Sequence, residues 1–334
     1  MPLEADDMAL GEFDLIARYF KRPVRRAVLG IGDDCALLAP APGMQLAISC
    51  DMLVQGRHFF ADVDPRALGH KALAVNLSDL AASGATPRAF TLALALPHVE
   101  EAWLQGFSQG LFALADAHGC ELIGGDTTQG PLNICITVFG DVPAGQALLR
   151  SGAQAGDDIY VSGNLGDARL ALEALLGHVA LPANTLAAAR ERLERPTPRV
   201  ALGTALRGIA TSALDVSDGL LGDLSHILQA SQAGADIHLA ETTKLIACSA
   251  LWESATAGFD QNLLRQCTLA GGDDYELCFT AAVSDRAAVQ TAATAAQTPV
   301  HRIGCITAEP GLRVLDAQGQ PVAQSWRSFD HFKP

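Results

Sequence analysis

Short apolar runs bounded by Gly and Asp alternate along this chain with segments whose apolar residues recur every three or four positions. The runs near 45–50, 90–96, 120–124, 132–139, 158–162, 210–215, 275–280 and 301–306 predict strands. Over 101–118, Trp103, Leu104, Phe107, Leu111, Leu114 and Ala115 make a helical stripe, with Gly119 placed to cap it. Leu73, Leu77 and Leu80 make a similar stripe over 66–83. Further helices are predicted at 165–177, 184–194, 198–208 and 218–232, and the alanine-rich stretch 285–297 reads as a surface helix. Interleaved strands and helices predict a mixed α/β (α+β) architecture. The pattern breaks at 141–157, DVPAGQALLRSGAQAGD, which places a domain boundary there and gives two domains, 1–148 and 149–334.

Composition narrows the function classes. The chain has 334 residues, 49% hydrophobic and 18% charged, with 37 acids against 23 Lys and Arg for a formal charge of −14. No apolar run approaches the ~20 residues needed to span a bilayer, and the acidic start MPLEADDMAL lacks the layout of a secretory signal. Phosphate backbones and anionic lipid are normally gripped by Lys and Arg, so neither nucleic acid nor membrane is an expected partner. Eight cysteines are scattered without a CxxC pair, which disfavours zinc; most read as small buried hydrophobes in a reducing compartment. The expectation is a soluble cytoplasmic enzyme or binding protein.

The acids carry the chemistry. Asp33, Asp34, Asp51, Asp126, Asp215, Asp218, Asp273 and Asp274 fall near Gly at the predicted ends of strands, in echoes such as GIGDD, IGGD and AGGDD. Any one of them is readily an ordinary turn aspartate. Several together, with almost no flanking Lys or Arg, would repel unless neutralised, and Mg²⁺ is the natural neutraliser because it bridges carboxylates to substrate phosphates. Asn76, Asp79 and Ser83 form a polar stripe on an otherwise apolar helix: a solvent face, or with the Gly–Asp turns a metal or nucleotide face. There is no Walker A sequence, and GIGDDC lacks the third Gly of a dinucleotide fingerprint. Phosphate would therefore be held by metal and backbone amides, with the GGDTT turn at 124–128 a candidate anion nest and Arg150 a candidate phosphate contact. No G-x-S-x-G elbow appears, and no Cys has an electropositive setting. His58 and His331 are the histidines to follow, His331 more readily a structural one.

GIGDDCALL, SCDMLVQGRHF, KALAVNLSDLAASGATP, IGGDTTQGP, DVSDGL, GGDDYELCFT and DHF, in this order from Gly11 to Phe332, resemble thiamine-monophosphate kinases. That resemblance implies the aminoimidazole ribonucleotide synthetase-like fold: two domains, with N-terminal mixed sheets pairing in a homodimer and a C-terminal α+β domain completing the site. It implies transfer of the ATP γ-phosphoryl group to thiamine monophosphate by direct in-line attack, assisted by several Mg²⁺ ions and giving thiamine diphosphate. Carried over residue by residue, Asp34, Asp51, Asp79, Asp126, Asp215 and Asp218 are the implied metal ligands, and Ser49 and Cys50 two further metal contacts. Asp126, Asp215 and Asp218 are the acids implied in catalysis. Gly125, Asp126, Arg150 and Ser217 are implied to contact ATP; His58, Asp273 and Phe329, thiamine monophosphate. Two positions depart from the family. Cys50 stands where Thr is common, so its metal contact is expected through the carbonyl, and Asp273 stands where Glu is common, one methylene shorter. Two other readings remain: another ATPase of the superfamily, such as aminoimidazole ribonucleotide synthetase, or a non-catalytic binder of nucleotide or thiamine phosphate.

Overall fold

A computed structural model describes residues 11–248, 260–323, 326, 328 and 329; His331 lies outside these. The chain divides into two compact units that interleave in sequence. The first comprises Met1–Pro42, Ile48–Asn76 and Pro87–Asp141; the second comprises Gly43–Ala47, Leu77–Thr86 and Val142–Pro334. No helix among the described residues is long and apolar enough to cross a membrane.

The first sheet has four strands, β1 (Met44–Val54), β2 (Thr86–Leu96), β3 (Glu121–Gln129) and β4 (Asn133–Pro143), in the order β1-β4-β2-β3. Strand β2 alternates buried Leu92, Leu94 and Leu96 with more exposed Thr91, Ala93 and Ala95, so one face of the sheet belongs to a core. The helix Pro65–Ala82 starts at an Asp–Pro pair: the Asp64 carboxylate accepts the Arg66 N–H at 3.2 Å, and Pro65 takes the first helical position, where its missing donor costs nothing. The helix Glu101–His118 ends at left-handed Gly119, as its sequence predicts. These two helices cross closely, because a Cβ on Gly110 would stand 1.8 Å from the Arg66 carbonyl oxygen.

Strands β2 and β3 run parallel with Ala89 opposite Glu121 and Ala93 opposite Asp126, and the register slips by one residue between Phe90 and Thr91. The extra residue is Ile123, immediately before the Gly–Gly pair. A bulge of this kind re-aims the side chains that follow it. Gly125 has φ +147°, and a Cβ there would fall 1.9 Å from the Leu92 carbonyl oxygen, so no other residue fits without moving the strand. The GGDTT segment is thus paired strand, not the turn expected of it, and successive amides of an extended strand point to opposite sides instead of converging on an anion.

The second sheet has six strands, β5 (Asp158–Ser162), β6 (Ala210–Val216), β7 (Gly234–His238), β8 (Glu276–Ala281), β9 (Val300–Thr307) and β10 (Gly311–Leu315), in the order β10-β7-β9-β5-β8-β6. Only β10 and β7 pair in parallel; the other pairs are antiparallel. Strands β5 and β8 are buried along their whole length. On one face Ile159, Val161, Leu214, Val216 and Ile237 join Leu220, Leu224 and Ile227 of the helix Leu220–Ser231 in a single apolar core. The sequence does not announce β7, β10 or the helix Gln261–Ala270. The expected helix at 285–297 is Arg286–Ala295, with Val289, Ala292 and Ala293 buried.

Strand β8 begins on a fully buried charge. Glu276 accepts bonds from Ser162 Oγ at 2.6 Å, Arg192 Nη2 at 2.7 Å, and both Arg199 Nε and Nη2 at 2.6 and 2.5 Å. Both arginines are themselves mostly covered. A buried pair broken from one side leaves the other charge uncompensated. Glu276→Ala is therefore expected to lower stability by about 3–5 kcal/mol, seen as a drop in the urea midpoint. Gly125→Ala is expected to cost at least about 2 kcal/mol through backbone displacement, seen as a lower thermal unfolding temperature.

Candidate active site

Residues of the first unit form one set. Asp34 follows left-handed Gly32 in a loop held by the pairing of Leu29 with Leu37, and its N–H donates to Asp33 Oδ1 at 2.9 Å. Asp51 and Asp126 lie inside strands β1 and β3, so the expectation that these acids end their strands is corrected: strand geometry, not turn geometry, sets their direction. The Asp51 N–H donates to Asn76 Oδ1 at 3.1 Å, and Asn76 Nδ2 donates to the Ala72 carbonyl at 3.1 Å. Asn76 is 1% exposed. A buried amide with both ends engaged fixes β1 against the helix beside Ser49, Cys50 and Asp51. The polar stripe is therefore no solvent face at Asn76.

Cys50 Sγ lies 3.4 Å from Cys135 Sγ on the neighbouring strand. Burial, and then the bond to Cys50, push Cys135 up to about 11. All eight cysteines are free; Cys120, Cys248, Cys267 and Cys278 are buried as expected, whereas Cys35 and Cys50 are exposed. Burial pushes Cys120 and Cys267 up to about 12, which keeps them as inert thiols. His58 closes a tight turn after β1: its Nδ1 accepts the Val54 N–H at 3.0 Å, which leaves the ring proton of the neutral form on Nε2. Gly125 and Asp126 are exposed on edge strand β3.

The second unit brings another set together around the loop after β6. Ser78 Oγ donates to Asp215 Oδ2 at 2.7 Å, with both residues buried. Asp79, the next residue, is partly exposed. The carbonyls of Ser217 and Asp218 are bonded to two of the three predicted substrate contacts: the Asp273 N–H donates to the Ser217 carbonyl at 2.8 Å, and the Phe329 N–H to the Asp218 carbonyl at 3.1 Å. Phe329 is 45% exposed. Asp273 and Tyr275 both have positive φ, +69° and +52°, and Tyr275 Oη donates to Asp273 Oδ1 at 3.2 Å. Left-handed backbone is easier for Asp than for longer side chains, which suits the shorter acid at this position. Arg150 is exposed, and its carbonyl is tied to Ser231 Oγ at 3.2 Å.

Two buried acids stand behind this loop. Asp223 Oδ2 accepts the N–H groups of Ser217, Asp218 and Gly219 at 3.1, 3.1 and 3.0 Å. Burial, and next the Asp218 carboxylate, push Asp223 up to about 7 against the pull of those three donors. Asp274 is 1% exposed and receives the Gly166 N–H on both oxygens; burial raises its carboxyl well above the usual range. Sequence reasoning missed Ser78, Asp223 and Tyr275 as supports, and read Asn76 only as part of a polar stripe. The available signals were slight: Ser78 precedes Asp79 in NLSDLAA, and Asp223 is an acid in the first turn of a helix.

Among the described residues, no three His, Cys, Asp or Glu side chains already converge as a protein-only metal cage. The candidate acids offer carboxylate oxygens, a donor chemistry that fits a hard cation completing its shell with phosphate oxygen and water.

Two family models cover most of the chain: the AIR synthase related protein N-terminal domain over residues 32–142 and the C-terminal domain over 154–317. A thiamine-monophosphate kinase of Escherichia coli strain K12 is 48% identical over 97% of this chain and 99% of its own. The crystal structure of a thiamine-monophosphate kinase from Stenotrophomonas maltophilia K279a superposes with TM-score 0.81 at 45% identity, covering 94% of this chain and 99% of that one. AaThiL complexed with AMPPCP and TMP superposes with TM-score 0.73 at 27% identity, covering 88% and 89%. The chain therefore belongs to the AIR synthase related family and, within it, to the thiamine-monophosphate kinases.

Proposed function

We propose that this protein transfers the γ-phosphoryl group of ATP to the phosphate of thiamine monophosphate, giving thiamine diphosphate and ADP. The observation that carries this reading is the full-length likeness to kinases of that name, one of which binds AMPPCP and TMP together. An oxygen of the substrate phosphate attacks the γ-phosphorus in line, and the bond to the β-phosphate bridging oxygen breaks. The attacking oxygen is already ionised, so no side chain need act as a general base; positioning and charge neutralisation do the work.

Mg²⁺ ions, held by Asp34, Asp51, Asp79, Asp126, Asp215 and Asp218 with Ser49 and the Cys50 carbonyl, would neutralise the phosphates and polarise the transferred group. The thiol of Cys50 lies against Cys135, which supports a carbonyl contact there. Gly125, Arg150 and Ser217 would orient ATP. His58, Asp273 and Phe329 would hold thiamine monophosphate, with the aromatic face of Phe329 opposite the cationic thiazolium ring. His58, accepting at Nδ1, can donate from Nε2 to a phosphate oxygen.

We also propose a homodimer formed through the first sheet. Ile48, 59% exposed, and Met52, 52% exposed, lie with exposed Cys50 on one face of β1, an apolar surface of the kind that interfaces cover. A cytoplasmic location fits free thiols and a substrate as phosphorylated as ATP.

Purified protein given ATP, thiamine monophosphate and Mg²⁺ is expected to form thiamine diphosphate and ADP, followed by chromatography, and to stop when EDTA is added. ATP binding with no diphosphate after long incubation would overturn the kinase reading in favour of a binder. Asp126→Asn is expected to abolish turnover while leaving the unfolding temperature near that of the unmodified protein, since the side chain is exposed; full activity in that variant would remove Asp126 from the site.

A further inference from the structure

From the carbonyl of Val216 to that of Gly219, every peptide N–H and C=O has a partner. The Val216 carbonyl accepts from the Tyr275 N–H at 2.9 Å, the Ser217 carbonyl from the Asp273 N–H, and the Asp218 carbonyl from the Phe329 N–H. The Gly219 carbonyl accepts the Asp223 N–H at 3.0 Å. The three remaining donors, the N–H groups of Ser217, Asp218 and Gly219, all end on one atom, Asp223 Oδ2. Three consecutive amides turned inward make the concave donor cluster that elsewhere binds phosphate. Here the chain fills it with its own carboxylate, 6% exposed. The amides of this loop are consequently spent, and Ser217 and Asp218 have only their side chains to offer a ligand.

We propose that Asp223 is a positioning residue of the phosphoryl transfer: its one oxygen sets the loop that presents Asp218 and Ser217 to the nucleotide and metal, and through the same peptides sets Asp273 and Phe329 for the second substrate. This inference rests on the kinase reading. The backbone of this loop is bonded both to Asp273 and to Phe329. A displaced loop thus disturbs both substrates at once, whereas a defect confined to one substrate would touch one of them.

The test compares Asp223→Ala, Asp223→Asn and Asp223→Glu in the full chain. The quantities read are the Mg²⁺ concentration for half-maximal activity, KM for ATP and for thiamine monophosphate, and Mg²⁺-dependent AMPPCP binding by calorimetry. Asn keeps an oxygen acceptor of the same length and is expected to stay within about threefold of the unmodified protein. Ala removes the acceptor, and Glu moves it by a methylene. Both are expected to raise the Mg²⁺ requirement and both KM values by on the order of 10–100-fold, the usual cost of losing a residue that orients a ligand. Unchanged Mg²⁺ requirement and KM values in Ala overturn the proposal, as does a loss confined to kcat. Should Ala fail to fold, the Asn and Glu pair decides: equal behaviour of the two overturns it. Absence of diphosphate from the unmodified protein would end the kinase reading alone, because the calorimetric comparison still reads what Asp223 does to Mg²⁺–nucleotide binding.

Discussion

Carboxylates that serve a substrate as negative as ATP repel both one another and the ligand, so they cannot hold themselves in place by attraction. The chain fixes the peptides and hydroxyls around three of the candidate acids. Asn76 holds the backbone of Asp51, Ser78 meets one oxygen of Asp215, and Asp223 gathers the amides that flank Asp218. Each support is itself buried, where a hydrogen bond is stronger and an unmade one more costly. An aspartate set on such a frame can lie near other negative charge before a cation arrives, because the frame rather than the carboxylate bears the repulsion.

The second sheet carries an unusual polar load for an interior. Glu276 enters strand β8 fully buried with two arginines, and Asp274 beside it takes the Gly166 amide. The bond from Ser162 to Glu276, and from the Leu277 N–H to Ser162, ties the start of β8 to the end of β5. These contacts settle where the GGDDYE segment leaves the sheet. They also make its left-handed Asp273 and Tyr275 tolerable, since strained backbone persists only where its surroundings over-determine it.

Most of the regular structure was legible, and its gaps have physical causes. Buried strands such as β5 and β8 stand out because short runs of Ile, Tyr, Val, Leu, Cys and Phe mark them in the sequence. GADIH and GLRVL do not, being five residues long, opened by glycine and interrupted by a charge. The helix Gln261–Ala270 hides its Leu264, Cys267 and Leu269 among Asn, Gln and Arg. The candidate acids stand out by their Gly neighbours, whereas their setting does not. GGDTT looks like a turn and is a strand, because the partner that consumes its hydrogen bonds, β2, lies some thirty residues earlier. Ser78 is an ordinary residue until tertiary structure brings Asp215 against it, and Asp223 until the local turn before its helix folds the Ser217 amide back onto it.

The placement of Ser78 has a bearing on how the molecule could be divided. Its hydroxyl partner Asp215 belongs to the same compact unit but lies 137 positions away, and the unit reaches back for Leu77–Thr86 and Gly43–Ala47 as well as for everything after Asp141. No single scission of the polypeptide therefore releases that half intact. A fragment starting at Val142 would keep Asp215 and strand it without the serine, so proteolysis or gene truncation cannot separate the halves without dismantling one of them.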